Sequence, residues 1–131
     1  MSGERNLQIL LSSAAPQHNP GRFVFCTVAD VHPTLWQQAV ATIREQEGVT
    51  LVLAQDVAEA HGLKYEYIAG WITLKVHSSL AAVGLTAAFS QALASQQISC
   101  NVVAGYYHDH IFVAEDDVTQ AMEILQSLGN K

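Results

Sequence analysis

The stretch from Trp71 to Leu128 constrains the fold most, because its hydrophobic period switches repeatedly between two and 3.6. Trp71-Ile72-Thr73-Leu74-Lys75-Val76-His77 alternates, with Ile72, Leu74 and Val76 on one face, as a half-buried strand does. A loop of small residues follows from Ser78 to Gly84. Leu85, Phe89, Ala92 and Leu93 then share one helical face. Ile98 to Val103 reads as the next strand. His110 to Val113 reads as its hairpin partner across Gly105 to Asp109, where Asp is a usual turn former. Glu115-Asp116-Asp117 place negative charge at the start of a last helix, where the macrodipole favours it. Val118, Ala121, Met122, Leu125 and Leu128 form its buried stripe, and Gly129 stops it. This β-α-β-β-α order lacks the final strand of a ferredoxin-like sheet. A strand from the first half of the chain is expected to supply it.

That first half has similar ingredients. Leu7, Leu10, Leu11 and Ala14 predict a short amphipathic helix from about Asn6, ended by Pro16 and an Asn19-Pro20-Gly21 turn. Phe23 to Val28 is apolar on both faces, which predicts a central strand. After a turn from Asp30 to Pro33, Val40 to Arg44 and Val49 to Leu53 predict a hairpin, with Gly48 in its turn. Asp56 is placed to cap a helix running to His61, closed by Gly62. The order reads α-β-β-β-α. Leu63 to Gly70 is the candidate junction, giving halves 1–69 and 70–131 of similar size without a convincing residue-level repeat.

Of 131 residues, half are apolar and only 14% are charged, so a buried core is assured and an oligomer is expected. The net charge of −6 comes without any basic stripe, which argues against nucleic acid. Cys26 and Cys100 sit in apolar runs and read as free thiols of a reducing compartment. The opening residues are too short an apolar run for a signal peptide or membrane span, so a cytoplasmic protein without membrane contact is expected.

The segment His77 to Thr86 is where chemistry is expected. A strand ends, small residues follow, and a helix begins near Gly84, so backbone N–H groups there attract a carboxylate or phosphate. On the residues alone the plainer reading is favoured, with Ser79 or Thr86 an ordinary helix cap and Gly84 a close-packing residue, because such caps are common at helix starts. His108 and His110 lie two apart, which in a strand puts both imidazoles on one face. With His77 a three-nitrogen metal site is conceivable, but two ligands do not make one. No nucleophile elbow, phosphate loop or dinucleotide fingerprint occurs, and no cofactor is expected.

Gly84-Leu85, the helix to Gln96 and Ile98-Ser99 are similar to the helix entry and second-strand entry of the ACT domain family, and Cys100 to Val113 to its central hairpin. The run His77 to Leu80 with Leu85 to Ala88 and Asn101 to Phe112 resembles short stand-alone proteins described as tandem ACT-like domains. That likeness extends to Pro20-Gly21, Phe23 to Val28 and Glu47 to Val52. Two departures stand out: Val83 where a proline often precedes the glycine, and Ser78 or Ser79 where an acidic residue is common.

The resemblance implies an α+β fold: a ferredoxin-like antiparallel sheet with helices on one face, two ACT-like halves packed together. It implies a non-catalytic regulatory protein binding a small molecule of the amino-acid class. Carried over, His77, Ser78, Ser79, Leu80, Val83, Gly84, Leu85 and Thr86 would hold the ligand, with Asn101 bonding its amine or carboxylate from the adjacent strand. A locally satisfied sheet residue is the equal alternative for Asn101. The competing functions are a small metal-dependent enzyme on the His108/His110 hairpin and a structural dimer that binds nothing.

Overall fold

The structure, a computed structural model, describes residues 15–75 and 84–128. The expected helix near Asn6 and most of the loop before Gly84 therefore lie outside the described residues, as does Gly129. In chain order come β1 (Pro16–Val28), α1 (Pro33–Gln38), β2 (Ala41–Arg44), β3 (Val49–Ala54), α2 (Gln55–Ala60) and β4 (Ile68–Leu74). Then follow α3 (Leu85–Ala94), β5 (Asn101–Ala104), β6 (Asp109–Ala114), a 3-10 turn (Glu115–Asp117) and α4 (Val118–Leu128). The chain forms two compact units. One runs from Gly21 to Ala69, and the other joins the segment ending at Pro20 to the chain from Gly70 onward.

In the first unit the strands lie in the order β2-β3-β1, all antiparallel. Val24 faces Leu53 and Cys26 faces Leu51 across the ladder. These four side chains form one buried cluster with Leu35 of α1 and Ala58 of α2, so both helices cover the same face. Two expectations change here. The Asn19-Pro20-Gly21 turn is instead part of β1: Gly21 takes a φ of 103°, a local bend that glycine accommodates within a strand. The helix α1, absent from the sequence reading, follows the Asp30–Pro33 turn, with Pro33 in its first turn and His32 Nδ1 accepting from Thr34 N at 3.1 Å. Its six residues bury only Leu35, too little to print a period.

Helix α2 starts two residues earlier than expected. Ala54 is its N-cap, and Asp56 lies in the first turn, accepting from Val57 N at 2.9 Å. Its end is as the sequence predicts. Gly62 is left-handed at φ 66°, Gly62 N donates to Glu59 O at 3.1 Å, and Leu63 N to Ala58 O at 2.9 Å.

In the second unit the order is the Pro16–Pro20 part of β1, then β4, β6 and β5. The missing ferredoxin-like strand is thus supplied by the segment before Gly21, and Lys75 N donates to Ala15 O at 3.1 Å just beyond it. Ile72, Leu74, Ile111 and Val113 pack with Leu85, Phe89 and Leu93 of α3 and Ala121 and Leu125 of α4. The helical stripes are those read from the sequence. The strand after α3 starts later than predicted, because Ile98 N closes the helix end by bonding Leu93 O at 3.1 Å. Asp109 is not a turn residue: it opens β6 opposite Ala104 and is 7% exposed.

The hairpin of each unit and the entry into the element that follows it recur at a spacing of 60 positions. Ala41 faces Val52 and Asn101 faces Phe112 (41 to 101, 52 to 112). Glu45 N bonds Gly48 O at 2.9 Å, and Gly105 N bonds His108 O at 2.9 Å. Ala54 enters its helix at φ −57°, ψ 141°, and Ala114 enters the next turn at φ −54°, ψ 140°.

Candidate functional site

Of the residues singled out in the sequence, His77, Ser78, Ser79, Leu80 and Val83 lie outside the described residues. Gly84 is the N-cap of α3 in the left-handed conformation, φ 100° and ψ −20°, and offers no side-chain cap. Its carbonyl accepts from Ala88 N at 2.9 Å, which starts the helix where the sequence placed it. Leu85 is buried in the core, whereas Thr86 is exposed. Asn101 opens β5, and its Nδ2 donates to Phe112 O, its cross-strand partner, at 3.3 Å.

The register of the second unit assigns Asn101 a set of neighbours the sequence did not reveal. Ile111 and Val113 face the helices, so His110 and Phe112 face the other way, with Val103 and Asn101 opposite them. On β4, Ile72 and Leu74 face the helices, which leaves Trp71 and Thr73 on this second face. They are bonded together. Asn19 Nδ2 donates to Thr73 Oγ1 at 2.9 Å and to Trp71 O at 3.3 Å. Trp71 Nε1 donates to His110 Nδ1 at 3.0 Å. The Trp71 and Phe112 rings stack at 6.2 Å and 21°. Asn19 had been read as a turn former; its amide instead ties two strands.

This arrangement bears on the metal alternative. His110 Nδ1 is taken by the indole N–H, and His108 lies in the turn before β6 rather than within the strand. Among the described residues no group of three or more His, Cys, Asp and Glu could hold a metal ion. Burial pushes the Asp109 carboxyl up, and the neighbouring His110 and His108 oppose that shift. Burial, then His108, pushes His110 down, against the pull of Asp109. Cys26 is buried and Cys100 half-buried, both as free thiols, and burial pushes the Cys100 thiol up to about 11. Such a thiol is a poor nucleophile.

The first unit holds two clefts. One, of about 500 Å³, opens where β1 hands over to α1, lined by Ala29, Asp30, Val31, Trp36, Thr42, Arg44 and Val49. It lies at the connection from the first unit's β1 to its α1, the counterpart in chain order of the connection from β4 to α3. It brings a carboxylate, a guanidinium and an indole that is 56% exposed to one cavity. No ion pair ties Asp30 to Arg44 among the described residues. The sequence reading missed all three, since only the fold brings a turn, a hairpin strand and the unforeseen helix of Trp36 to one cavity. The second cleft, of about 840 Å³, is lined by Phe25, Thr27, Thr50 and the segment Leu63 to Tyr67. Tyr65 is anchored there, accepting from Gln55 Nε2 at 2.8 Å and donating to Glu59 Oε2 at 2.9 Å.

Comparison with known proteins places this geometry. Two family models, each described as the ACT domain, match residues 2–70 and 66–127. A solved structure from Vibrio cholerae, a protein of unknown function and possible transport protein, is 46% identical, with a TM-score of 0.84 over 94% of this chain and 95% of that one. An Agrobacterium tumefaciens protein is 17% identical, with a TM-score of 0.68 over 88% of this chain and 89% of that one. The regulatory subunit of aspartate kinase from Thermus thermophilus, in its ligand-free form, is 8% identical, with a TM-score of 0.65 over 90% of this chain and 97% of that one. No curated protein matches. Among the described residues no helix is long and apolar enough to cross a membrane.

Proposed function

Because the chain belongs to the ACT domain family, we propose that it is a non-catalytic regulatory protein that binds a small metabolite of the amino-acid class. ACT domains generally bind small molecules, and the fold shared with a regulatory subunit of aspartate kinase supports a role of that kind. On this reading the chain comprises two ACT-like halves, 1–69 and 70–131, and works as a cytoplasmic homo-oligomer. The second half offers His77, Ser78, Ser79, Leu80, Val83, Gly84, Leu85 and Thr86, with Asn101 on the adjacent strand.

The observation that carries the ligand class is the cleft at the connection from β1 to α1 in the first unit. An amino acid presents a carboxylate and an ammonium a few ångströms apart. Arg44 supplies a planar fork that matches a carboxylate, Asp30 an acceptor for the ammonium, and Trp36 an apolar and cation-attracting wall. Acids without such partners across the cleft would not select a zwitterion.

A thermal-shift screen of the full chain against the twenty amino acids tests this. One or a few should raise the melting temperature, with the gain growing as the logarithm of ligand concentration over Kd. A flat profile from folded protein overturns the proposed ligand class.

A further inference from the structure

The second unit carries an imidazole whose protonation its neighbours control. An indole N–H can only donate. With Trp71 Nε1 at 3.0 Å, His110 Nδ1 must therefore accept, and the proton of the neutral ring sits on Nε2. Thr73 Oγ1 lies 3.2 Å from the same nitrogen and already accepts from Asn19 Nδ2 at 2.9 Å, so its own proton is also directed at Nδ1. Two donors converge on one lone pair. A proton arriving at Nδ1 turns that acceptor into a donor. Thr73 can answer by rotating its hydroxyl, but the indole cannot reverse its polarity.

We infer that His110 is a proton-operated latch: neutral, it holds the Trp71 indole between β4 and β6, and protonation at Nδ1 expels the indole from that position. The consequence reaches beyond one bond. Trp71 lies 5.8 Å from the tilted His110 ring and stacks on Phe112 at 6.2 Å, so its departure removes both ring contacts. Trp71 also belongs to β4, the strand that leads into the His77–Thr86 segment. The latch stands whether or not that segment binds a ligand.

Few charges face His110. Asp109 precedes it, and His108 precedes Asp109 in the turn. β5 presents Val103 opposite, β4 presents Trp71 and Thr73, and β1 reaches it through neutral Asn19. His18 of β1 lies instead beside Gly70, near Val118 on the helix side. Burial and His108 together outweigh Asp109 and hold His110 below the ordinary value of 6.5, so the latch is closed at neutral pH and opens on acidification.

The experiment is an NMR titration of the full chain from about pH 8 to about pH 5, the range in which histidines change charge. It follows the His110 ring and the Trp71 indole N–H, the latter identified with Trp71→Phe. His110 should titrate below 6.5, and the Trp71 indole resonance should move with the same midpoint while that of exposed Trp36 does not. In Trp71→Phe, lacking the donor, the His110 midpoint should rise. A His110 midpoint at or above the ordinary value, or an indole resonance that ignores it, overturns the latch. If Trp71→Phe does not fold, the coincidence of midpoints in the unaltered protein decides, with the resonance assigned through the backbone.

Discussion

Gly70 packs against Val118 so closely that a methyl group added to Gly70 would overlap Val118 Cγ2. Val118 opens α4, and its β-branched side chain has one strongly preferred rotamer in a helix, so it cannot simply turn aside. Gly70→Ala must therefore push α4 away from β4. The expected loss is about 1–3 kcal/mol, the range for overpacking a filled core. Urea unfolding measures it, and a change within about 0.5 kcal/mol would show that α4 shifts freely.

The sequence printed this glycine only as the end of a junction. What it did print clearly was the second unit, since α3 and α4 are long enough to show a period and β4 alternates. The first unit was read less well for physical reasons. Helix α1 buries a single residue, and the strand role of Pro16 to Gly21 depends on tertiary bonds from Asn19 and on glycine's freedom at one position. The repeat was hidden because the aligned spans 41–56 and 101–116 share only Ala54/Ala114 and Asp56/Asp116. Backbone register and apolar alternation persist where identities do not. The helix start near Gly84 was legible in the small-residue run that precedes it, whereas the left-handed backbone of Gly84 was not. The meeting of Asp30 and Arg44 at one cleft was not legible, because which loop and which hairpin strand line a cavity together is a property of the fold.

The borrowed strand makes a prediction about fragments. Residues 70–131 alone expose the β4 edge that Pro16–Pro20 covers, and they lose the Asn19 bonds to Trp71 and Thr73. An uncovered edge beside a small core favours self-association over folding. The fragment should be unfolded or aggregated by circular dichroism and light scattering. A monomeric fragment with cooperative unfolding would show that the strand is dispensable.

Asp109 should cost stability at neutral pH. Burial raises its folded value above the ordinary 3.8, so between the two values the folded chain holds a proton that the unfolded chain has released. Stability from this group is then lost as pH rises through that window. Asp109→Asn removes the charge and keeps the shape, so it should melt no lower than the parent at neutral pH. Its advantage should shrink as pH falls toward 3.8. His110 acts in the opposite sense. Its folded value lies below 6.5, so the unfolded chain binds the extra proton and stability falls as pH drops below 6.5. Asp109→Asn should preserve that second slope, and its disappearance would assign both effects to one coupled pair.

The two repeats need not contribute equally to ligand binding, and paired variants separate them. Arg44→Gln removes the guanidinium from the first cleft, and Asp30→Asn removes the carboxylate, both at exposed positions where stability should change by no more than about 0.5 kcal/mol. Gly84→Val strains a left-handed position at the start of α3 and should cost about 1–3 kcal/mol. If the first cleft holds the ligand, the Arg44 and Asp30 variants lose the ligand-induced rise in melting temperature while Gly84→Val retains it on a lower baseline. If the second repeat holds it, the pattern reverses. Losing a charge-assisted contact should weaken binding by about tenfold or more, because such bonds are worth about 1.5–3 kcal/mol. Isothermal calorimetry reads this directly, and unchanged affinity in all three variants would remove both strand–loop–helix positions from the binding site.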